Sequence, residues 1–250
     1  MRILGSRVHV VDVPRTIELF DRWIEERGPR CRHVVATGFH GISVGHRQPD
    51  FRRILNAADL WIPDGIAPVW IARSYGWSTA RRAPGADLMR SYFELANQTG
   101  YSSYFYGDTP ETLEKLGERV TRQYPSHRVA GSFAPPFGEA TERELDAHVE
   151  MINSAKPDVL WVALGLPKQE RWISKNLHRL RVPIAVGVGA AFSFLAGTVR
   201  RAPSQVGDAG LEWLWRLAVD PAKTWRRVVL EGPPFVARAT LERLGLWSSD

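Results

Sequence analysis

The chain has 250 residues, enough for one large α/β domain or for one domain with an appendage, and its 44% hydrophobic and 24% charged composition is ordinary for a soluble protein. The single cysteine, Cys31, excludes a disulfide within the chain and a cysteine-based metal site, and no run of about 18 uncharged apolar residues is available to span a bilayer. The net charge of +6 suits an anionic partner: nucleic acid, phospholipid headgroups or a phosphorylated substrate.

Residues 1–14 lack the apolar core and small-residue cleavage site of a secretory leader, so a cytosolic protein is the expectation. Ile17, Phe20, Trp23 and Ile24 then share one face at helical spacing. Cys31, among apolar residues, reads as a small core filler, and 33–37 and 60–62 read as strands. Ile66, Val69 and Trp70 make a second helical face, and Leu88, Tyr92, Leu95 and Ala96 a third. A strand at 104–106 follows. Thr109-Pro110 is an N-cap with proline at the first helical position, before the apolar face Leu113, Leu116 and Val120. A strand at 128–133 precedes a capping box, Thr141 with Glu144, which opens a helix carrying Leu145, Val149 and Ile152. Strands at 159–164 and 184–188 complete the series. Strand and helix alternate over most of the length, which predicts a Rossmann-like α/β fold: a mainly parallel sheet covered by helices on both faces.

The alternation stops near Val199. Arg200-Arg201-Ala202-Pro203 is a basic, proline-marked joint, and beyond it Leu211, Leu214, Trp215 and Ala218 form an apolar helical stripe widened by Trp213 and Leu217. Residues 199–227 hold six Lys/Arg against three Asp/Glu, and four of the ten tryptophans fall in the last forty residues. The division predicted is an α/β domain over 1–198 and a basic, Trp-rich helical appendage over 199–250. Tryptophan and arginine on an amphipathic helix suit core packing, nucleic acid or a membrane surface.

Several joints carry polar residues where ligands of open α/β sheets bind, beyond the carboxyl ends of the strands. Residues 157–172, PDVLWVALGLPKQERW, run from a buried strand through Gly165 into Lys168, Gln169 and Glu170 at a helix start. Pro63-Asp64-Gly65 follows the strand at 60–62; Asp64 is there either a helix cap or a carboxylate free to accept a proton. Arg81-Arg82-Ala83-Pro84-Gly85-Ala86-Asp87 enters the next helix, where arginines and helix N–H groups suit phosphate oxygens, unless the loop is merely solvated. Gly187-Val188-Gly189 resembles a phosphate loop but lacks a third glycine and an acidic ribose partner. The seven histidines are scattered without metal-ligand spacing, no Asp-x-Asp pair occurs, and Ser193 does not sit in a nucleophile elbow, so no metal and no cofactor are expected.

Taken together these blocks resemble the WecG/TagA/CpsF family of bacterial glycosyltransferases. They are Thr37; Leu55-Asn56-Ala57-Ala58-Asp59-Leu60 leading to Pro63-Asp64-Gly65; Arg82 with Gly85-Ala86-Asp87-Leu88-Met89; Phe105-Tyr106-Gly107; Pro157-Asp158 through Gly165-Leu166-Pro167-Lys168-Gln169-Glu170; Gly187-Val188-Gly189-Ala190-Ala191-Phe192; and Arg201-Ala202-Pro203 with Gly210–217 and Trp225-Arg226-Arg227. They keep their order from about residue 35 to 230. At one point the chain departs: Gly38-Phe39-His40 follows Thr37 where many members carry an asparagine two residues after the threonine. The contacts to the donor sugar, and so its identity among the ManNAc, ManNAcA and glucose classes, stay open.

The resemblance implies an inverting hexosyltransferase that moves a sugar from UDP to a polyprenyl-diphosphate-linked saccharide in cell-surface polysaccharide synthesis. It implies Asp64 as general base, Thr37 and Gln169 as hydrogen-bond partners of donor or acceptor, and Arg82, with Gly85 and Asp87 beside it, at the diphosphate. Backbone N–H groups around Gly187 and Gly189, with Lys168 at the same rim, and Arg216, Lys223, Arg226 and Arg227 of the appendage would balance charge on UDP or on the anionic inner face of the plasma membrane, with no nucleic acid as partner. The aromatic surface leaves a homo-oligomer open. Two rival readings remain: a nucleotide-binding oxidoreductase on the same kind of sheet, and a basic anion-binding module.

Overall fold

The computed structural model describes residues 1–136, 138, 141–208, 210–219 and 221–247, and of Ser204, Asp208, Arg216, Lys223 and Arg227 the backbone alone. Six strands form one parallel sheet: β3 (Arg32–Thr37), β4 (Leu60–Pro63), β5 (Ser102–Gly107), β6 (Arg128–Phe133), β7 (Val159–Ala163) and β8 (Ile184–Gly187). Their order is β4-β3-β8-β7-β5-β6. Each lies within two residues of its expected position. An antiparallel hairpin of β1 (Arg2–Ile3) and β2 (Ser6–Arg7) comes first. Two-residue strands carry no readable alternation, so this hairpin was not foreseen. Its Leu4-Gly5 turn has both residues left-handed, the geometry that suits the twist of a tight hairpin.

The helices of the α/β layers are α1 (Val13–Glu26), α2 (Phe39–Arg47), α3 (Pro49–Ala57), α4 (Ile66–Ser74), α5 (Gly85–Thr99), α6 (Pro110–Gln123), α7 (Glu142–Ala155), α8 (Lys168–Asn176) and α9 (Ala191–Ala196). The N-cap at Thr109 and the capping box of Thr141 with Glu144 are both formed.

Successive strand residues feed opposite faces, as the period of two requires. On one face Val34, Ala36, Ile62, Phe105, Trp161 and Val186 pack with α1, α5, α6 and α9. On the other, Val35 and Trp61 pack with α2 and α3, and Tyr104, Leu160, Val162 and Ala185 with α7 and α8. Burial of each large side chain contributes roughly 1.5–3 kcal/mol, provided its polar atom is satisfied. Trp61 meets that condition by donating its indole N–H to the Thr37 carbonyl at 3.2 Å, and Trp161 by donating to Ser103 Oγ at 3.0 Å. Cys31 is buried in this layer with its thiol pushed up by burial to about 12, so it is inert filler.

Two motif aspartates close the amino ends of the strands. Asp59 accepts from the His33 backbone N–H at 2.9 Å and from both Arg30 guanidinium nitrogens at 2.5 and 2.8 Å. Asp158 accepts from the Ser102 N–H at 2.9 Å, the Ser102 hydroxyl at 2.7 Å and Arg27 at 2.9 Å. Each ties the start of one strand to its neighbour, β4 to β3 and β7 to β5.

The C-terminal segment is helical, as expected: α10 (Ser204–Asp208), α11 (Glu212–Val219), α12 (Pro221–Trp225), a π-helical stretch (Arg226–Glu231) and α13 (Gly232–Arg243). It is packed onto the α/β layers. Phe235, 3% exposed, joins Val35, Ile42, Phe51 and Trp61, with its ring 5.7 Å from that of Phe39. Glu231 pairs with His40 at 2.6 Å and Arg47 at 3.1 Å, and Glu242 accepts from the Leu4 N–H at 2.7 Å.

Candidate active site

Adjacent strands β3 and β8 send the chain to opposite faces, β3 into α2 and β8 into α9. The crevice this opens at the carboxyl ends is where open α/β sheets take ligands. The register sets Thr37 opposite Pro63, and Val35 opposite Gly187, so Thr37, Asp64 and the loop after Gly187 share one rim.

Asp64 stands at the tip of β4, half-buried. Its backbone N–H donates to the Ile62 carbonyl at 3.0 Å and to the Thr37 carbonyl at 3.3 Å. Gly38 lies so close that a Cβ there would come within 2.3 Å of the Asp64 carbonyl oxygen, so only glycine lets the two strand ends meet. Thr37 itself is buried, its side chain against Gly41 in the first turn of α2.

The arginine loop joins the same rim, since the Ala83 N–H donates to the Pro63 carbonyl at 2.9 Å. Arg82 is mostly buried and donates to Glu212 of α11 at 3.0 Å, with Gly207 of α10 against its guanidinium. Gly85 starts α5 and touches Val188. Asp87 is gripped through both carboxylate oxygens by Arg201, a residue of the joint after 198. Burial opposes the charge on Asp87, and the arginine beside it more than compensates, holding its carboxyl below the usual range. Asp64 and Glu212 also stabilise the Arg201 cation. Asp64, Arg82, Asp87, Arg201 and Glu212 are thus one charge cluster, assembled from β4, the arginine loop, α5 and the C-terminal segment. That segment roofs the rim. Two surface hollows of about 410 and 490 Å³ lie elsewhere, one bordered by Arg27, Glu150 and Arg181, the other by Arg52 and Arg53.

Lys168 is exposed at the start of α8, whereas Gln169 and Glu170 are sealed beneath the rim. Gln169 Oε1 accepts from the Gly189 N–H at 3.1 Å, and its Nε2 donates to Glu170 Oε1 at 2.8 Å. The carboxamide lies across Gly187, where a Cβ would come within 2.8 Å of it. The Val188 N–H is taken by the Val162 carbonyl at 2.9 Å, so the loop offers a ligand fewer N–H groups than its glycines suggest. Of the C-terminal cations, Arg226 lies over the Trp225 ring at 5.6 Å; the side chains of Arg216, Lys223 and Arg227 fall outside the described residues. No cluster of three or more His, Cys, Asp or Glu suited to a metal occurs among the described residues.

Glu170, which the sequence placed at the rim without a role of its own, is a buried carboxyl. Its Oε2 has no hydrogen-bond partner among the described residues, and burial pushes the group up from 4.5 to about 7. Between those values the folded chain keeps a proton that the unfolded chain has released, so stability falls as pH rises through that window. The loss is on the order of 3 kcal/mol above pH 7. Glu170→Gln keeps the acceptor for Gln169 and removes the ionisation. Its melting temperature is expected to match the parent within about 2 °C at pH 5 and to exceed it by about 5–10 °C at pH 8. Equal midpoints at pH 8 would show that the carboxyl is not held neutral.

Chemically, the rim offers Asp64, a half-buried carboxylate, in one cluster with two guanidiniums, which fits proton removal next to a departing anion. A family model described as Glycosyl transferase WecG/TagA/CpsF family matches residues 1–249. Among curated proteins, an N-acetylglucosaminyldiphosphoundecaprenol N-acetyl-beta-D-mannosaminyltransferase of Bacillus spizizenii is 33% identical over 183 residues, 73% of this chain and 69% of that protein. Proteins of the same description from Bacillus subtilis and Staphylococcus aureus are 29% and 28% identical, over 72% and 71% of this chain and 68% and 66% of theirs.

Proposed function

Because the chain belongs to the WecG/TagA/CpsF glycosyltransferase family, we propose that it transfers N-acetylmannosamine from UDP to a polyprenyl-diphosphate-linked N-acetylglucosamine at the inner face of the plasma membrane. The sugar and the acceptor are those for which its relatives are named. The observation that carries the reading is the position of Asp64, at the carboxyl end of β4 and in one cluster with Arg82 and Arg201.

The chemistry is a single displacement. The Asp64 carboxylate accepts the proton of the acceptor hydroxyl as that oxygen attacks the anomeric carbon. The new glycosidic C–O bond forms as the bond from that carbon to the diphosphate oxygen breaks, with inversion, and UDP carries away the electron pair. Arg82 and Arg201, the cations of the same cluster, offset the growing phosphate charge. Both are held by carboxylates in the structure, Arg82 by Glu212 and Arg201 by Asp87, so they are oriented before any ligand arrives. Thr37 shares the rim as a donor-side contact. Gln169, with both ends of its carboxamide engaged, shapes the 187–190 loop. The exposed aromatic and cationic residues of the C-terminal segment keep the enzyme beside its lipid-linked acceptor.

The test is a screen of UDP release across UDP-hexoses with a short-chain polyprenyl-diphosphate N-acetylglucosamine. Acceptor-dependent UDP release with UDP-N-acetylmannosamine, above that with UDP-glucose, is expected. Release with no donor in the panel would overturn the reading, and preference for another UDP-hexose would overturn the sugar.

A further inference from the structure

We propose that α4 and the loop after it, residues 66–81, form a second lipid-contacting surface, distinct from the C-terminal helices, that sets Trp70 and Trp77 into the headgroup layer of an anionic bilayer. Its purpose rests on the lipid-linked acceptor proposed above; the surface itself stands on the following observations.

The inner side of α4 is ordinary, with Val69, Ala72 and Ala80 buried together. The outer side is not. Trp70 and Trp77 are each 53% exposed and Tyr75 is 40% exposed. Soluble surfaces scatter such residues singly, whereas three large aromatics within eight positions mark a contact surface. The loop is not exposed through lack of structure. Arg73 donates through Nε and Nη2 to the Ala80 carbonyl at 3.2 and 3.0 Å, the Ala80 N–H donates to the Trp77 carbonyl at 2.9 Å, and the Trp77 N–H donates to the Ala72 carbonyl at 3.1 Å. Trp77 is therefore held out by a closed set of hydrogen bonds.

Charge selects the occupant. Residues 65–86 contain three arginines and no Asp or Glu, and Arg73 and Arg81 are exposed. A second copy of this chain would set arginine against arginine with no acid on the segment to pair them, while an anionic headgroup layer matches both the cations and the amphipathic indoles. The surface also runs into the exposed C-terminal residues on two sides. Gly210 abuts Trp70 beside exposed Leu211, Trp213 and Leu214, and Arg243 lies over the Tyr75 ring at 4.8 Å beside exposed Leu244 and Leu246. Because α4 begins two residues after Asp64, lipid contact here brings the β4 tip towards the plane where a diphosphate headgroup lies.

The experiment is vesicle co-sedimentation of the full chain and of a Trp70→Ser/Trp77→Ser variant, with phosphatidylcholine vesicles containing roughly a third phosphatidylglycerol. Both side chains are exposed, so the variant is expected to fold and to keep its melting temperature. Its partition is expected to be weaker by about tenfold or more. Partition within about twofold of the parent would overturn the proposal. So would a parent that is dimeric in sedimentation velocity and becomes monomeric on substitution, since the indoles would then serve self-association. Absence of glycosyl transfer in both proteins would count against the proposed enzyme and leave the vesicle result to be read by itself.

Discussion

Asp64→Asn is expected to lower turnover by about 100- to 10,000-fold, the usual worth of a positioned general base, while UDP-sugar binding and melting temperature stay close to the parent's. The substitution is nearly isosteric, and it leaves untouched the backbone anchors of this residue: its N–H to Ile62 and Thr37, and the close passage of Gly38 over its carbonyl. None of these needs the carboxylate. What the asparagine cannot do is take the acceptor's proton. The effect should therefore fall on kcat, with the KM for donor little changed, because an interaction made only in the transition state is lost. Turnover within about tenfold of the parent would remove Asp64 from the base role and direct attention to the other carboxylates of the cluster, Asp87 and Glu212.

Phe235→Ala is expected to cost about 3–5 kcal/mol, the range for emptying a buried aromatic site. The ring is remote from the sheet in sequence, but in space it fills the layer between Phe39 and the β3 and β4 residues Val35 and Trp61. Because Phe235 and Ala239 are the residues through which α13 is buried, the loss should appear first as local opening of that helix. Amide exchange across 232–243 is expected to accelerate by about two orders of magnitude, with the sheet amides much less affected. Unchanged exchange in α13 would mean that Glu231, Glu242 and the neighbouring contacts hold the segment without the aromatic anchor.

The parallel sheet was legible because its strands are buried on both faces and so appear as apolar runs bounded by turn residues. Residues 159–163 and 184–187 are the plainest examples. The helix α2 was not read. Its sequence, FHGISVGHR, carries two glycines that argue against a helix, and their reason is tertiary: Gly41 makes room for the Thr37 side chain, and Gly45 lies against Leu55 and Ser6. At the rim, Asp64 could be found from its place after a strand. Gln169 and Glu170 read as rim groups too, because a polar pair at a helix start gives no sign of which way it faces. Here it faces inward, and the glycines at 187 and 189 are the hint of the carboxamide lying over them. Asp87 read as a phosphate-loop neighbour, and its partner Arg201 lies 114 residues further on, beyond the reach of local pattern.

The placement of Asp59 and Asp158 bears on how a mutational survey of this enzyme would sort itself. Both acids belong to the most recognisable stretches of the chain, yet both are clasps at the floor of the sheet, some strand-length away from the rim where Asp64 stands. Replacing either should yield protein that is scarce or heat-labile, with residual molecules turning over normally. Replacing Asp64 should yield abundant, well-folded, silent protein. Specific activity per folded molecule, rather than activity per culture, is what separates the two groups.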